Sequence, residues 1–306
     1  MDIINKIRRE VHKVVVGQEK MVESLLVGLI CQGHILLEGV PGLAKTTTIN
    51  ALAKSLGLDF KRVQFTPDLL PTDIIGAQIY NPKDSIFQIK KGPIFTQLLL
   101  ADEINRSPSK VQSALLEAMQ ERQVTIGEES FELPEPFMVM ATQNPLEQEG
   151  TYRLPEAQLD RFMMKLQIGY NTKKEELEIM RKVANNTSKE IKPILTKDDI
   201  KTISKEIHNI HIDKEVEEYI ISIIFETRTN NPLIEYGVSP RASIDLYKAS
   251  KAHAYLQGRD FVTPVDIVNM AYPTLRHRIG TTYEAKAKGV STDDIIKEII
   301  DKTVMP

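Results

Sequence analysis

Short apolar runs alternate with longer mixed segments through the first half of the chain, and each run stops beside residues that carry chemistry. Ile35-Leu36-Leu37 leads into a glycine-rich turn at Gly39. Leu98-Leu99-Leu100-Ala101 stops at Asp102 and Glu103, and Phe137 to Thr142 stops at Gln143-Asn144-Pro145. A fourth run, Met163 to Ile168, follows Leu159-Asp160-Arg161-Phe162. Such runs, separated by helix-prone stretches like Lys45 to Leu56, predict buried parallel strands covered by helices. Near Ile168 to Lys173 the pattern turns helical. Lys173–Ala184, Asp198–Ile207, Asp213–Thr229 and Ser239–Leu256 read as helices, and Thr263-Pro264-Val265-Asp266 opens a fifth. The expected division is an α/β core over residues 1–170 and a helical part over 171–306.

Two stretches depart from a plain sheet-and-helix plan. Ile79-Tyr80 and Ile86 to Ile89 flank the turn Asn81-Pro82-Lys83-Asp84. Gln123 to Ile126 and Glu129 to Leu133 flank Gly127-Glu128. Both read as hairpins, which either present a working surface or only decorate the core.

The turn Gly39-Val40-Pro41-Gly42-Leu43-Ala44-Lys45-Thr46, with Thr47 behind it, has the make-up of a phosphate-binding loop. Strand, glycine-rich turn and helix follow in the order that chemistry needs. Glycines let backbone N–H groups curl around phosphate oxygens, and a helix N-terminus adds partial positive charge. Lys45 would reach the terminal phosphates and the Thr46 hydroxyl would hold Mg²⁺. The general pattern has Gly before the Lys. Here it is Ala44, which makes a positive φ at that position an open question.

Asp102, at a strand end, is placed to hold the Mg²⁺ shell, and Glu103 to polarise an attacking water. An amide at the next strand end, Asn144, can bond a γ-phosphate or orient the water. Arg161 closes a short helix and is either a surface cation or a finger for a neighbouring subunit's ATP. Ser239 reads as an N-cap and Pro240 as the first helical residue. Arg241 then opposes the helix dipole at a cost of roughly 0.3 kcal/mol or more, which an anionic ligand would offset. Thr196-Lys197-Asp198-Asp199 has the form of a guanine-reading signature. No buried strand precedes it, so it reads as a helix cap, and GTP specificity is not expected.

These motifs, in this order, resemble those of the AAA+ ATPases, and specifically the MoxR family. The phosphate loop, Ala101-Asp102-Glu103-Ile104-Asn105-Arg106, Ala141-Thr142-Gln143-Asn144-Pro145, Leu159-Asp160-Arg161-Phe162 and Ser239-Pro240-Arg241-Ala242 carry the resemblance, which spans about Val14 to Arg278. It implies a P-loop NTPase core with a parallel sheet and covering helices, plus a C-terminal all-helical lid domain. ATP would sit between the two parts, where Arg241 can approach it. By resemblance Asn144 is sensor 1, Arg161 the trans-acting finger and Arg241 sensor 2, while Val16-Gly17-Gln18 lies against the adenine. Arg153 is the rival for the finger. The hairpins become the helix-2 insert and the pre-sensor-1 hairpin. The implied activity is ATP hydrolysis with Mg²⁺, in a homo-oligomeric ring taken as hexameric. The implied role is a chaperone for partner proteins, including partners with a von Willebrand factor A-type domain.

Composition narrows the alternatives. The 306 residues suit two domains, and 42% hydrophobic content suffices for a core in each. A net charge of −3 gives no general pull toward nucleic acid, and Lys90-Lys91 and Lys173-Lys174 are too short to add one. A DNA-remodelling motor is thereby disfavoured, and the presence of Glu103 disfavours a scaffold that binds nucleotide without turnover. Cys31 is the single cysteine, so no intrachain disulfide forms, and no zinc-ligand spacing exists. No stretch is long and apolar enough to span a bilayer, and no signal-like run opens the chain, so the cytoplasm is expected.

Overall fold

A computed structural model describes residues 2–40, 42–83, 85–144, 151–184 and 190–306. Helices α1 (Asp2–His12) and α2 (Glu19–Ile30) precede strand β1 (Ile35–Glu38). Helix α3 (Lys45–Ser55) leaves the glycine-rich turn, followed by β2 (Phe60–Gln64), α4 (Pro71–Ile75), β3 (Gly76–Asn81) and β4 (Ile86–Lys91). Next come β5 (Leu98–Asp102), α5 (Ser109–Glu121), β6 (Gln123–Ile126), β7 (Glu129–Glu132), β8 (Met138–Gln143), α6 (Glu156–Leu159) and β9 (Met164–Gln167). The remainder holds α7 (Lys173–Ala184), α8 (Lys197–Glu206), α9 (Lys214–Glu226), β10 (Ile234–Tyr236), α10 (Pro240–Leu256), α11 (Pro264–Leu275), β11 (Gly280–Thr281), α12 (Tyr283–Ala287) and α13 (Thr292–Lys302).

Five strands form a parallel sheet in the order β2-β5-β8-β1-β9. The pleat divides each apolar run between two cores. Ile35, Leu37, Leu98, Leu100, Met138 and Met140 join the α1–α3 side. Leu36, Leu99, Ala101, Val139 and Ala141 join Leu115, Leu116 and Phe137 on the other side. With both faces covered, these strands are apolar throughout instead of alternating. β2 differs because it is an edge strand: Lys61, Arg62 and Gln64 are exposed, and no apolar run announces it.

The first of these cores does not stop at residue 170. It continues through Leu25 and Leu29 of α2 into Ile220, Leu246, Ile267 and Ile295 of the helical part. Polar links reinforce the join: Lys182 Nζ donates to the His12 carbonyl at 2.6 Å, and the Ile194 amide to the Ser55 carbonyl at 2.7 Å. The lid also carries a small antiparallel pair, β10 with β11. Thr196 and Asp199 form a reciprocal capping box at the start of α8, the helix cap expected for that segment.

Both hairpins stand where the sequence places them, β3 with β4 and β6 with β7. Asp84, in the first turn, lies outside the described residues. Ile79, Tyr80, Ile86 and Phe87 are exposed near that tip, with the Tyr80 and Phe87 rings 5.2 Å apart. Lys91 Nζ lies 4.7 Å from the ring centres of both Phe95 and Phe131, tying the first hairpin to the second.

Within the lid, Asp266 is fully buried and its carboxylate is saturated. It shares a 2.6 Å hydrogen bond with His253 Nδ1 and accepts from Arg259 Nη1 and Nη2 at 2.7 and 2.5 Å. The Thr263 amide and hydroxyl add two more at 2.7 Å each. Burial alone would raise this carboxyl, but the bonds from His253, Arg259 and Thr263 outweigh it and hold it well below the ordinary range. A carboxyl depressed in the folded state stabilises the fold above its unfolded value, and the gain is lost as pH falls toward the folded value. Asp266→Asn should therefore cost about 3 kcal/mol at neutral pH, read from urea midpoints. From about pH 4 downward the wild type should lose stability more steeply than the variant.

Candidate active site

Parallel strands bring all their carboxyl ends to one edge of the sheet, where open α/β folds bind ligands. β1, β5 and β8 deliver Gly39 to Ala44, Asp102 with Glu103, and Asn144 to that edge. Gly39 sits so close to the exit of β9 that a Cβ there would meet the Ile168 carbonyl at 2.8 Å. Gly42 has φ +85°, with open space where a side chain would point. Pro41 lies outside the described residues. Leu43 is buried in the core and Val40 packs against it, which anchors the loop. Ala44 does adopt the left-handed region, with φ 55° and ψ 20°, at a cost of about 1–2 kcal/mol for a residue with a Cβ.

This turn fits a phosphate. The first N–H groups of α3 have no carbonyl behind them, Ala44 offers no side-chain cap, and no acid occupies the first turn. Lys45 Nζ donates to the Gly39 carbonyl at 2.7 Å and so lies folded along the loop. Burial lowers the Lys45 ammonium from its ordinary value, against the pull of Asp102 and Glu103. Thr46 is half-buried and Thr47 exposed beside it.

The two acids are held by Thr142 and Arg106, which lie inside the motifs, and by Arg62 and Gln64, which do not. Asp102 Oδ1 accepts from the Thr142 hydroxyl at 2.6 Å, and Oδ2 accepts from Arg62 Nε and Nη2 at 2.9 and 2.6 Å. Glu103 has φ 57°, and its amide donates to the same Thr142 oxygen at 2.8 Å. Its carboxylate accepts from Gln64 Nε2 at 2.7 Å and lies 3.2 Å from Arg106 Nε. Arg62 and Gln64 come from β2, the strand that the apolar pattern does not reveal. Asn144 is buried next to this group. Asp102 and Thr46 are the residues here that would hold Mg²⁺. Among the described residues no cluster of three or more His, Cys, Asp or Glu suits a metal.

Val16 is buried, and Gly17 and Gln18 both have positive φ, at 69° and 60°. Gln18 Nε2 donates to Asn171 Oδ1 at 3.3 Å. From Gln18 a cleft of about 1360 Å³ runs past Ile168, Gly169 and Tyr170 to the lid.

Arg161 and Arg241 lie elsewhere. Arg161 precedes β9, so it stands at the amino edge beside Gln32, Gly33 and His34, which precede β1. Arg241 joins it in the same cavity of about 370 Å³, with Arg122 and Lys248. Arg161 Nη1 donates to the Leu116 carbonyl at 3.0 Å, and Arg241 Nη1 to Asp160 Oδ2 at 3.0 Å. The expectation that Arg241 approaches the nucleotide of its own chain is corrected: the length of the sheet separates the two. Ser239 does hold the N-cap position, but its hydroxyl donates to both Asp160 carboxylate oxygens, at 3.0 and 3.1 Å, and caps nothing. Arg153 is exposed. Cys31 ends α2, half-buried, its thiol donating to the Lys248 carbonyl at 3.4 Å.

Residues 34–164 match the ATPase family associated with various cellular activities, and residues 226–299 match the AAA lid domain. The chaperone MoxR1 of Mycobacterium tuberculosis is 44% identical over 305 residues, covering 97% of this chain and 81% of the relative. The chain belongs to the MoxR family of AAA+ ATPases. Within reach of that family lies YeaC of Bacillus subtilis, a protein without an assigned role, at 46% identity across 99% of this chain and 95% of its own. A crystal structure from Cytophaga hutchinsonii, provisionally described as an ATPase, is 52% identical and superposes with a TM-score of 0.94, covering 100% of this chain and 95% of its own.

The strained alanine of this MoxR-type loop is a test of the local account. Ala44→Gly relieves the left-handed cost but gives back about 0.5–1 kcal/mol of chain entropy. The variant should be more stable by about 0.5 kcal/mol, seen as a small rise in Tm without nucleotide.

Proposed function

We propose that this chain hydrolyses ATP in a homo-oligomeric ring, taken as hexameric, and uses the cycle to remodel a partner protein in the cytoplasm. The observation that carries the reading is the separation of the site between two edges. Loop, acids and amide stand on the carboxyl edge; Arg161 and Arg241 stand on the amino edge of the same molecule. A head-to-tail neighbour brings the two together, and head-to-tail contacts close into rings.

In this reading the loop amides and Lys45 bind the phosphates, and Val16, Gly17 and Gln18 face the adenine. Thr46 and Asp102 would hold Mg²⁺, which would supply neutralisation of the phosphate charge. Glu103 takes the proton of the attacking water, and Asn144 orients that water. Arg161 of the adjoining subunit stabilises charge developing on the γ-phosphate, with Arg241 beside it. No described helix is long and apolar enough to cross a membrane. The chaperone role follows from the likeness to MoxR1, and a partner with a von Willebrand factor A-type domain from the family resemblance. The exposed Tyr80–Phe87 pair is the surface offered to the client.

Glu103→Gln keeps shape and polarity but removes the base, so nucleotide binding should persist while phosphate release falls to background. Arg161→Ala should bind ATP nearly normally and lose roughly 10³-fold or more in rate. Mixed together, the two dead variants should regain activity, because some interfaces then pair an intact Glu103 with an intact Arg161. A mixture that stays dead although mixed rings form rules Arg161 out as a finger in trans.

Replacing Tyr80 and Phe87 by Ser should leave basal hydrolysis within about twofold, since no phosphate contact lies on that hairpin. Stimulation of turnover by the client should disappear. Equal stimulation of variant and wild type would show that the client docks elsewhere.

A further inference from the structure

Arg278 lies just beyond α11 with its side chain 1% exposed, beneath the cavity that holds Arg161. Its guanidinium makes an unusual set of bonds. Nη2 donates at 3.0 Å to the Asp160 carbonyl and at 3.0 Å to the Phe162 carbonyl, the residues on either side of Arg161. Nε donates to Asp160 Oδ1 at 2.9 Å, Nη2 to Asp245 Oδ2 at 2.6 Å, and Nη1 to the Thr274 carbonyl at 3.1 Å. His277 Nε2 adds a second donor to the Phe162 carbonyl at 2.8 Å. Every one of these donors belongs to the lid. Asp160 in turn receives Arg241 and Ser239, at the start of α10, so the same lid holds it from two sides.

We propose that Arg278 is the positioning residue for Arg161: it clamps the backbone on both sides of that residue, so the orientation of the lid sets where the Arg161 cation points. The inference rests on the reading of Arg161 as a finger in trans. Arg278 itself is too deeply enclosed to meet a nucleotide. Two cations, Arg278 and Arg241, pair with two carboxylates, Asp160 and Asp245, so these ion pairs stand without a ligand. A buried arginine can serve this purpose where lysine cannot, because its planar fork reaches several acceptors at once. Rotation of the lid cannot leave Arg161 behind while these bonds hold.

The test is Arg278→Lys, which keeps the charge and loses the fork. Affinity for a non-hydrolysable ATP analogue and KM should stay within about twofold, while kcat falls roughly 10–100-fold, the scale of a misplacement near 1 Å. Mixing with Glu103→Gln should restore turnover, and mixing with Arg161→Ala should not, because both lesions then sit on the same edge. A purely structural role would weaken nucleotide binding as well and complement neither partner; that result, or an unchanged kcat, overturns the proposal. If Arg278→Lys does not fold, Asp245→Asn, which removes the charge that faces Arg278 and leaves the Arg161 backbone intact, decides by the same measurements. Failure of the Arg161→Ala and Glu103→Gln mixture removes the trans reading itself. Success there with failure of the Arg278→Lys and Glu103→Gln mixture removes this inference alone.

Discussion

The shared direction of five strands governs everything else in this molecule. Because β1, β5 and β8 run the same way, the turns that follow them can only meet on one edge. Residues preceding β1 and β9 can only meet on the other. The loop and the acids therefore never share an edge with Arg161 within one chain, and the packing of α10 puts Arg241 beside Arg161. An antiparallel sheet would have mixed them. Chain direction, more than any contact, is what keeps the loop and the acids apart from Arg161 within one molecule.

At the carboxyl edge, the acids are paired before any ligand arrives. Arg62 and Thr142 occupy both oxygens of Asp102, and Gln64 engages Glu103. The Arg62 side chain is 47% exposed, so its ion pair is worth about 0–1 kcal/mol. Asp160 is the opposite case. Its chief partner, Arg278, is buried, and breaking such a pair leaves an uncompensated charge inside the protein. One edge is built to exchange partners and the other to keep them.

Much of this was legible in the residues. Three of the four apolar runs became β1, β5 and β8, which are buried on both faces and so apolar throughout; the fourth became β9, the other edge strand, where buried Met164 and Leu166 alternate with Lys165 and Gln167. Both hairpins and the starts of α8 and α11 followed from turn and cap chemistry, which is local, and the start of α10 from Pro240 at its first position. β2 was not legible, since an edge strand needs no apolar run, and Arg62 and Gln64 were hidden with it. The place of Arg241 was not legible either. A cap motif fixes where a helix begins but says nothing of which sheet edge that start rests on. α12 and α13 do open on cap residues, Thr282 and the Ser291–Asp294 box, but these helices carry no site residue that would have drawn attention to them.

Lys91 has a mechanical consequence. Its ammonium rests between Phe95 and Phe131, so the two hairpins are coupled side by side and not free to swing apart. The second hairpin runs from Leu133 into Phe137 and then directly into β8, whose Thr142 holds Asp102 and the backbone of Glu103. The aromatic hairpin and the two acids are thus joined by one Lys–aromatic contact and a continuous stretch of chain that ends at the Thr142 hydroxyl.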